Sequence, residues 1–301
     1  MSAPLRSFLF VPGDSEKKLS KGADSRADAL ILDLEDAVSE NRKPVARELV
    51  HQFLRDHQGR AQGPQLWVRM NPVDTAHALL DLAAVVHSNP AGIMIPKIDS
   101  PAEVLRVHHY LDALEAASGL PQGQIQVLPV VTETPTAPFR LGDFAEAALP
   151  RLFGMTWGAE DLSAALGASK NTGPDGGWAF TYQMVRSMTL MAARAAGVEA
   201  VETLFVDVRD SEGLAESSRH ARAEGFSGRI AIHPAQVDVI NDAFTPSAAE
   251  VDHAHRVIEA FTGDVGTVSL DGKMLDAPHL AQARRVLALA AAADPRPEGI
   301  S

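Results

Sequence analysis

The sequence contains no cysteine among its 301 residues. Disulfide bonds, thiolate nucleophiles, and zinc or iron–sulfur sites held by cysteine are therefore excluded. Positively charged residues are also fewer than negatively charged ones. The sequence has 27 lysines and arginines and 39 aspartates and glutamates, which gives a net charge of −12. This balance disfavours nucleic acids and anionic membrane surfaces as partners. It still allows a phosphorylated small molecule bound by a few local cations.

Long hydrophobic runs are missing as well. The alanine-rich stretch "VLALAAAA" near the C-terminus is too short to span a bilayer. The first residues, "MSAPLRSFLFVPGD", contain only a short apolar run before a glycine turn, which is not the pattern of a signal peptide. We therefore expect a cytoplasmic protein without a membrane partner. The hydrophobic fraction of 46% is that of an ordinary globular chain with a large core.

Eight short apolar runs recur along the chain and alternate with segments of helical periodicity. Most are apolar at consecutive positions, which is typical of parallel strands covered on both faces. The predicted strands are Phe8–Val11, Ala29–Leu34, Leu66–Met70, Gly92–Ile95, Val127–Val131, Leu152–Met155, Thr203–Val206 and Ile230–Ile232. Strands that alternate with helices form right-handed βαβ units, so the sheet is predicted to be parallel.

This count and size favour a (β/α)8 TIM barrel over residues 1–240. A doubly wound open sheet is the main rival, but no GxGxxG follows the first strand and no GxxxxGK[ST] occurs in the sequence. After residue 240 the pattern changes to two helical segments around a stretch rich in glycine and acid. We interpret residues 241–301 as a C-terminal helical extension of the barrel.

Polar residues follow every predicted strand, and in a barrel these positions meet at one rim. Glu133 and Asp161 follow neighbouring strands, so their carboxylates can converge. Two carboxylates without cysteine or a histidine cluster suit a hard cation, Mg²⁺ above all. The competing interpretation is that both acids, together with Glu160, merely begin helices. Spacing alone leaves the two interpretations open.

Two cations also lie at strand ends. Arg69 could bind a carboxylate or an enolate oxygen in a bidentate manner, or it could pair with an acid of "DLEDAV". Lys97 could be an amine nucleophile that forms a Schiff base, or it could form an ion pair with a neighbouring acid such as Asp99. His233, in "HPAQ", is interpreted as a supporting residue at a helix start.

The acids after strand 2 alternate, so at most some of them can face the barrel mouth. They are Asp33, Glu35 and Asp36, and the remainder are expected to pair with Lys43, Arg47 or Arg69.

The motifs together resemble a known family. "RSFLFVPGD", "LILDLEDAV", "WVRMNP", "MIPKI", "TETP", "FGMTWGAEDLSAALG", "AIHPAQV" and "GKMLDAPHLAQARRVLA" are similar, in this order, to the citrate lyase β-subunit family, which includes malyl-CoA and citramalyl-CoA lyases. The resemblance runs from Arg6 to about Ala288. It implies a (β/α)8 barrel that binds Mg²⁺, with Mn²⁺ as an alternative, through Glu133 and Asp161. Of the two adjacent acids, Glu160 would then point away from the metal.

The implied reaction is a reversible Claisen-type cleavage of a short 3-hydroxyacyl thioester, carried by CoA or an acyl carrier, to an acyl thioester and a 2-keto acid. The backbone of Gly158 and Ala159 would hold the carboxylate of the keto acid, and Arg69 would steady the enolate. Asp276 would lie on a segment that reaches a neighbouring subunit's active site, which implies a homotrimer or homohexamer.

Arg6, Lys17 and Lys18 are candidates for binding the phosphates of CoA, and Lys97 and His233 for supporting substrate binding.

The sequence departs from the family pattern in ways that leave the substrate open. "IDS" follows Lys97 where a glutamate is usual, Glu202 stands where an aspartate is typical, and Trp178 and Phe180 occupy the connection after strand 6. Two other activities therefore stay open. One is a thioesterase that uses the same metal site, and the other is a non-catalytic or complex-bound subunit.

Overall fold

The computed structural model describes residues 5–59, 63–174, 176–262 and 266–293. Eight parallel strands form its centre, and their order in the sheet is β5-β4-β3-β2-β1-β8-β7-β6. They are β1 (Ser7–Pro12), β2 (Ala29–Asp33), β3 (Gln65–Arg69), β4 (Gly92–Ile95), β5 (Gln126–Pro129), β6 (Gly154–Thr156), β7 (Glu199–Glu202) and β8 (Gly228–Ala231).

Helices connect the strands and cover the outside of the sheet. They are α1 (Glu16–Ala23), α2 (Lys43–His57), α3 (His77–Val85), α4 (Pro101–Ala117), α5 (Ala159–Ala165), α6 (Phe180–Ala195), α7 (Ser211–Glu224) and α8 (Pro234–Phe244), with 3₁₀ turns at Glu40–Arg42, Val86–Ser88 and Ala137–Ala145. None of the helices in the described ranges is long and apolar enough to cross a membrane.

The sheet closes on itself between β5 and β6, the two strands at the ends of this order. Isolated parallel bridges join Val127 to Leu152 and Val130 to Thr156. The backbone N–H of Val131 donates to the carbonyl oxygen of Thr156 at 2.9 Å. The strands therefore form a nearly closed barrel with helices around it, and the predicted (β/α)8 TIM-barrel fold is confirmed.

The core has two layers, as expected when both faces of each strand are buried. Inside the barrel, Phe8, Trp67 and Phe153 form a cluster of aromatic rings with centroids 5.2–6.1 Å apart. Trp67 fits there because β4 begins with Gly92, where a Cβ atom would come within 2.2 Å of the indole ring. A larger apolar layer fills the space between the strands and the helices.

The predicted position of the seventh strand is wrong. The prediction was Thr203–Val206, whereas β7 is Glu199–Glu202. The carboxylate of Glu202 tolerates burial because it accepts hydrogen bonds from Trp157 Nε1 and Arg186 Nε, each at 2.6 Å. The apolar run that follows instead forms a loop at the barrel mouth. The other seven predicted strands each overlap an observed strand.

Beyond α8, the chain forms helix α9 (Ala248–Ala260), a hairpin of β9 (Thr267–Leu270) and β10 (Lys273–Asp276), and helix α10 (Ala277–Ala293). Both residues of the hairpin turn, Asp271 and Gly272, have positive φ, as a type I′ turn requires. A small apolar cluster joins these elements. The residues from 294 onward lie outside the described ranges, and the domain boundary after residue 240 stays a prediction.

Candidate metal centre at the barrel mouth

A small cavity of about 70 Å³ lies at the carboxyl ends of the strands. Parallel strands present their carboxyl ends at one face of a barrel, and side chains just past those ends meet there. Glu133 follows β5, Asp161 lies in the first turn of α5 after β6, and Arg69 ends β3. The structure therefore brings together three side chains that the sequence analysis placed at one rim. Gly158 and Ala159 lie in the same wall.

Glu133 is buried, with 6% of its surface exposed. Its Oε2 accepts a hydrogen bond from the backbone N–H of Lys97 at 2.6 Å, and no ion pair to it is found among the described residues. Gly158 packs against it so closely that a Cβ at this position would lie 2.7 Å from Glu133 Cγ. Glycine at position 158 thus leaves the room that the carboxylate occupies.

The charges around Glu133 destabilise its ionised form. Burial, and after it the nearby charge of Asp161, raise the pKa of this carboxyl from its ordinary value of 4.5 to about 8, against the lowering effect of the Lys97 N–H. Glu133 is a buried carboxylate beside a second one, and it has no ion-paired cation among the described residues. A bound metal ion would offset the negative charge of both groups.

The two adjacent acids of "GAEDL" face different partners. Asp161 Oδ1 lies 3.3 Å from Lys97 Nζ. The carboxylate of Glu160 instead accepts a hydrogen bond from Asn171 Nδ2 at 2.8 Å. Both side chains reach the cavity wall, but only Asp161 is close enough to raise the pKa of Glu133 by its charge.

The available donors fit a magnesium ion. Glu133 and Asp161 supply carboxylate oxygens, and the hydroxyl of Thr156, also in the cavity wall, is buried without a hydrogen-bond partner among the described residues. Oxygen ligands with open positions for water and substrate are what Mg²⁺ prefers. A histidine or cysteine site would point to a transition metal instead.

Arg69 is held firmly at the cavity edge. Its Nε and Nη2 donate to the two carboxylate oxygens of Asp33 at 2.8 and 2.6 Å, and its Nη1 lies 2.9 Å from Glu35 Oε2. The guanidinium also stacks over the ring of Phe10 at 4.5 Å. Burial alone would lower the pKa of Arg69, but the charge and hydrogen bonds of Asp33 outweigh it and raise the pKa. The cation is therefore permanent and oriented.

Lys97 is surrounded by acids. Its Nζ lies 2.5 Å from Glu35 Oε1, 3.0 Å from Asp36 Oδ2 and 3.3 Å from Asp161 Oδ1. Burial lowers the pKa of this amine, but its bonds to Glu35 and Asp36 raise it by more. An ammonium stabilised in this way is a poor nucleophile, because Schiff-base formation needs the neutral amine. The contacts favour the ion-pair interpretation of Lys97.

Arg6 does not line the cavity at the mouth, and its role in substrate binding stays a prediction. It precedes β1, at the opposite end of the barrel, where its guanidinium binds the carboxylate of Asp28 at 2.9 Å and donates to Thr245 Oγ1 at 3.0 Å. Sequence position alone did not show which end of the strand the side chain occupies.

Three other predicted residues lie outside the cavity wall. His233 caps helix α8, and its Nδ1 accepts from the backbone N–H of Ala235. Lys17 and Lys18 are exposed on α1, which begins on the mouth side of the barrel. Their roles in binding stay predictions.

Asp276 lies at the end of β10 and pairs with His279 at 2.6 Å. Among the described residues, the wall of the cavity at the mouth does not include it. Its predicted contact with a neighbouring subunit stays a prediction. His279, three residues later on α10, was missed by the sequence analysis, although the spacing places both side chains on one face of the helix start.

Several residues that organise the site were missed or left without a role. Asp33 and Glu35 orient Arg69 and Lys97, and Glu202 binds the indole of Trp157, the residue before Gly158. The sequence predicted only that some of the acids after strand 2 pair with Lys43, Arg47 or Arg69. Which acid faces which cation depends on packing that no motif specifies.

A second group of potential metal ligands lies elsewhere. His108, His109 and Asp112 on α4 have ligand atoms within 4.8 Å of one another. However, Arg151 donates to both His108 Nδ1 and Asp112 Oδ1. The guanidinium already supplies the positive charge there, so this cluster is better explained as part of an ion-pair network.

Comparisons with known proteins point to one family. The model of the HpcH/HpaI aldolase/citrate lyase family matches residues 6–234, and a second model, described as a C–C bond lyase of the TIM-barrel fold, matches residues 180–293. The citrate lyase subunit beta of Escherichia coli strain K12 is 35% identical over 95% of this chain and 93% of that protein. A (3S)-malyl-CoA thioesterase of Cereibacter sphaeroides is 36% identical over 96% of this chain and 95% of that protein.

A solved structure is similar over nearly the whole chain. Protein CitE from Mycobacterium tuberculosis, crystallised with magnesium, acetoacetate and coenzyme A, superimposes with a TM-score of 0.80 at 34% identity, covering 97% of this chain and all of that one. A citrate lyase beta subunit from the same organism was crystallised with oxaloacetate and magnesium, with a TM-score of 0.67 at 35% identity and coverage of 81% of this chain and 98% of that one.

Proposed function

Because the chain belongs to the HpcH/HpaI aldolase/citrate lyase family, we propose that it is a magnesium-dependent carbon–carbon lyase. The family resemblance inferred from the motifs is confirmed. The proposed reaction is the reversible Claisen-type cleavage of a short 3-hydroxyacyl thioester, such as a malyl, citramalyl or citryl thioester. Its products are acetyl-CoA or another acyl thioester and a 2-keto acid.

The observation that carries the proposal is the pair of Glu133 and Asp161. Both carboxylates meet at the cavity, and the buried one has no cationic side chain of its own among the described residues. Similar proteins were crystallised with magnesium together with acetoacetate, oxaloacetate or pyruvate. We therefore assign Mg²⁺, with Mn²⁺ as an alternative, to these two carboxylates.

When bound, the ion supplies a Lewis acid that polarises the oxygens of the keto acid. The chain's own residues do the rest. Arg69, oriented by Asp33 and stacked on Phe10, lines the cavity, and we assign its positive charge to the developing enolate oxygen. Gly158 and Ala159 line the wall, and we assign the substrate carboxylate to their backbone. The N–H of Gly158 donates to Thr132 Oγ1 at 3.1 Å, so the N–H of Ala159, at the first position of α5, is the donor that this assignment uses.

Asp276 is assigned to proton exchange at the acyl carbon of a neighbouring subunit's site, in a homotrimer or homohexamer. Its carboxylate is half exposed and bonded to His279, and so is accessible to a partner. A group that transfers a proton must reach the reacting atom within hydrogen-bond distance. Within one chain the residue lies outside the cavity wall, and the proposal therefore requires a second subunit.

A mixture of two inactive variants tests this assignment. Glu133→Gln is expected to lower turnover by about 10³-fold or more and Asp276→Asn by about 10²-fold or more. Subunits mixed at equal amounts and reassembled should regain about a quarter of the wild-type activity, because one site in four then combines both intact residues. Asp252→Asn, an exposed acid on α9, is the matched control and should stay fully active. If the mixture regains no activity, Asp276 does not act across subunits.

A thioesterase is the second candidate, and the name of the (3S)-malyl-CoA thioesterase relative supports it. In that case, water attacks the thioester carbonyl at the same site, and the thiolate leaves as free CoA. A subunit that works only within a larger complex is the third candidate, as the name of the citrate lyase subunit beta relative suggests.

Product analysis separates the three candidates. The purified chain is incubated with Mg²⁺ and malyl-, citramalyl- or citryl-CoA, and the thiols, thioesters and acids are quantified over time. We expect acetyl-CoA and one equivalent of glyoxylate, pyruvate or oxaloacetate, respectively. Free CoA with the intact hydroxy acid would identify a hydrolase. No turnover of any thioester by the chain alone would favour a complex-bound subunit.

A further inference from the structure

A second and larger cavity of about 510 Å³ lies beside the metal centre. The loop after α5, the loop after β7 and helix α7 enclose it. Much of its wall is apolar, formed by Trp178, Leu204, Phe205 and Val206. Its volume and its lining of aromatic and aliphatic side chains with a few polar groups are those of sites that bind small molecules.

The most unusual group in this wall is Arg229. It lies on β8 with its side chain on the outer face of the strand, because its neighbour Ile230 belongs to the cluster inside the barrel. Only 2% of its surface is exposed. Its Nη1 and Nη2 donate to the hydroxyls of Ser218 and Ser217 at 3.0 and 2.9 Å, whereas its Nε has no hydrogen-bond partner among the described residues.

The charge of Arg229 is not neutralised by an ion pair within the described ranges. The acid whose charge acts on it is Glu202, whose two oxygens are already bound to Trp157 and Arg186. Burial lowers the pKa of Arg229, Glu202 raises it in part, and the positive charge of Arg186 lowers it again. A buried guanidinium bound only to hydroxyls is costly for the fold, since buried charges are normally paired.

We propose that this cavity is a binding site for a small monocarboxylate with an apolar body, and that Arg229 and Ser217 bind the carboxylate. Arginine presents its N–H groups in a planar fork that matches a carboxylate. The hydroxyl of Ser217 accepts from Arg229 through its oxygen and keeps its own hydrogen free to donate to the ligand.

The rest of the wall specifies the remainder of the ligand. Trp178 and Phe205 offer aromatic faces, which suit a ring or a branched chain. The two acids of the wall, Glu160 and Asp207, are exposed and lie at the rim, whereas Arg229 is at the buried end. A second negative charge on the ligand would face these acids, so dicarboxylates are disfavoured here.

This site is distinct from the metal centre in both charge and shape. The metal centre is built from carboxylates that need a cation, and the second cavity is built around an unpaired cation. The two cavities share Glu160 and Leu204 in their walls, so they are neighbours. Binding in the second cavity requires no Mg²⁺, and the proposal therefore stands or fails independently of the proposed lyase activity.

Calorimetry of the full chain in EDTA tests the proposal, with 3-phenylpropionate, its neutral amide and phenylsuccinate as probes. The monocarboxylate is expected to bind at least about tenfold more tightly than the amide and the dicarboxylate. Arg229→Met should weaken its binding by at least about tenfold and leave the melting temperature unchanged or higher, because an uncompensated buried charge is removed. Arg69→Lys should bind it as the wild type does.

A surface variant covers the case in which Arg229→Met fails to fold. Val206→Glu places a negative charge at the exposed edge of the cavity and should weaken binding of the monocarboxylate several-fold, whereas Val208→Glu, two residues along the same loop and outside the wall, should not. Equal binding of acid and amide, loss of binding in Arg69→Lys, or no binding to the wild-type protein would each overturn the proposal.

Discussion

Replacement of Glu133 by glutamine is expected to abolish Mg²⁺ binding and lower lyase turnover by about 10³-fold or more, while the metal-free variant melts at a higher temperature than the metal-free wild-type protein. Glutamine keeps the size of the side chain and can still accept from the backbone N–H of Lys97. It removes one of the two carboxylates proposed to hold the ion. The Lewis acid is then lost, and with it most of the proposed catalysis.

The gain in stability follows from the pKa of Glu133, which burial and the charge of Asp161 raise to about 8 in the metal-free protein. In the unfolded chain this carboxyl ionises near 4.5. Between these two values the folded state holds more protons than the unfolded state, so stability falls as pH rises through this window. The destabilisation is fully present above about pH 8, and Glu133→Gln should remove it there and change little below pH 4.5.

Melting curves in EDTA and in Mg²⁺, at pH 6 and pH 9, measure both effects. The rise in melting temperature should reach several degrees at pH 9 and be smaller at pH 6. Added Mg²⁺ should stabilise the wild type and leave Glu133→Gln unchanged. A higher melting temperature together with retained Mg²⁺ binding would contradict the assignment of Glu133 as a ligand.

Glu115→Gln is the matched control for a buried glutamate. Its carboxylate binds Arg151 and the backbone N–H groups of Gly123 and Ile125, far from the mouth. This variant should lose stability and keep Mg²⁺ binding, because it leaves Arg151 without its buried partner. Within the adjacent pair, Asp161→Asn should lose Mg²⁺ binding and Glu160→Gln should keep it.

The fold could be predicted from the sequence because burial on both faces leaves a direct pattern. Seven predicted strands overlap observed strands, as consecutive apolar residues mark strands between two covering layers. The seventh strand could not be predicted this way. It ends in a buried glutamate, and its burial depends on Arg186 and Trp157, which are distant in sequence. Periodicity contains no information about such a partner.

The candidate site was predictable only as far as the fold determines it. Positions after β3, β5 and β6 meet at the mouth in any barrel of this kind, so Arg69, Glu133 and Asp161 could be grouped before their geometry was known. The distribution of ion pairs could not be predicted. Lys97 contacts Glu35, Asp36 and Asp161 rather than Asp99, and its backbone has a left-handed φ of 53°, which the sequence did not predict.

The position of Arg6 shows a related limit. A cation next to a strand in the sequence can lie at either end of the barrel. Its end depends on whether it precedes the first residue of the strand or follows the last. Arg6 precedes the first residue of β1 and binds Asp28, which precedes β2 in the same way. The two residues form an ion pair at the bottom of the barrel. Residues at this face usually stabilise the fold and do not take part in catalysis.

Arg69→Lys is expected to lower kcat/KM by about 10²–10³-fold, even though it keeps the positive charge. A lysine ammonium cannot bind both oxygens of Asp33, contact Glu35 and stack on Phe10 at once, as the guanidinium does. The enolate would then meet a cation that Asp33, Glu35 and Phe10 no longer hold in one orientation. Mg²⁺ affinity should change by less than about tenfold, because both proposed ligands remain.

The stability of this variant requires a control, since Asp33 is buried and loses part of its partner. Arg47 provides one. It forms a similar ion pair with the buried Asp81 at 2.7 Å, on the outer side of the barrel between α2 and α3. Both Arg→Lys variants should melt several degrees below the wild type, and only Arg69→Lys should lose turnover. Equal loss of activity in both would mean that Arg69 acts through the fold, and full activity in both would mean that a positive charge alone is sufficient at the enolate.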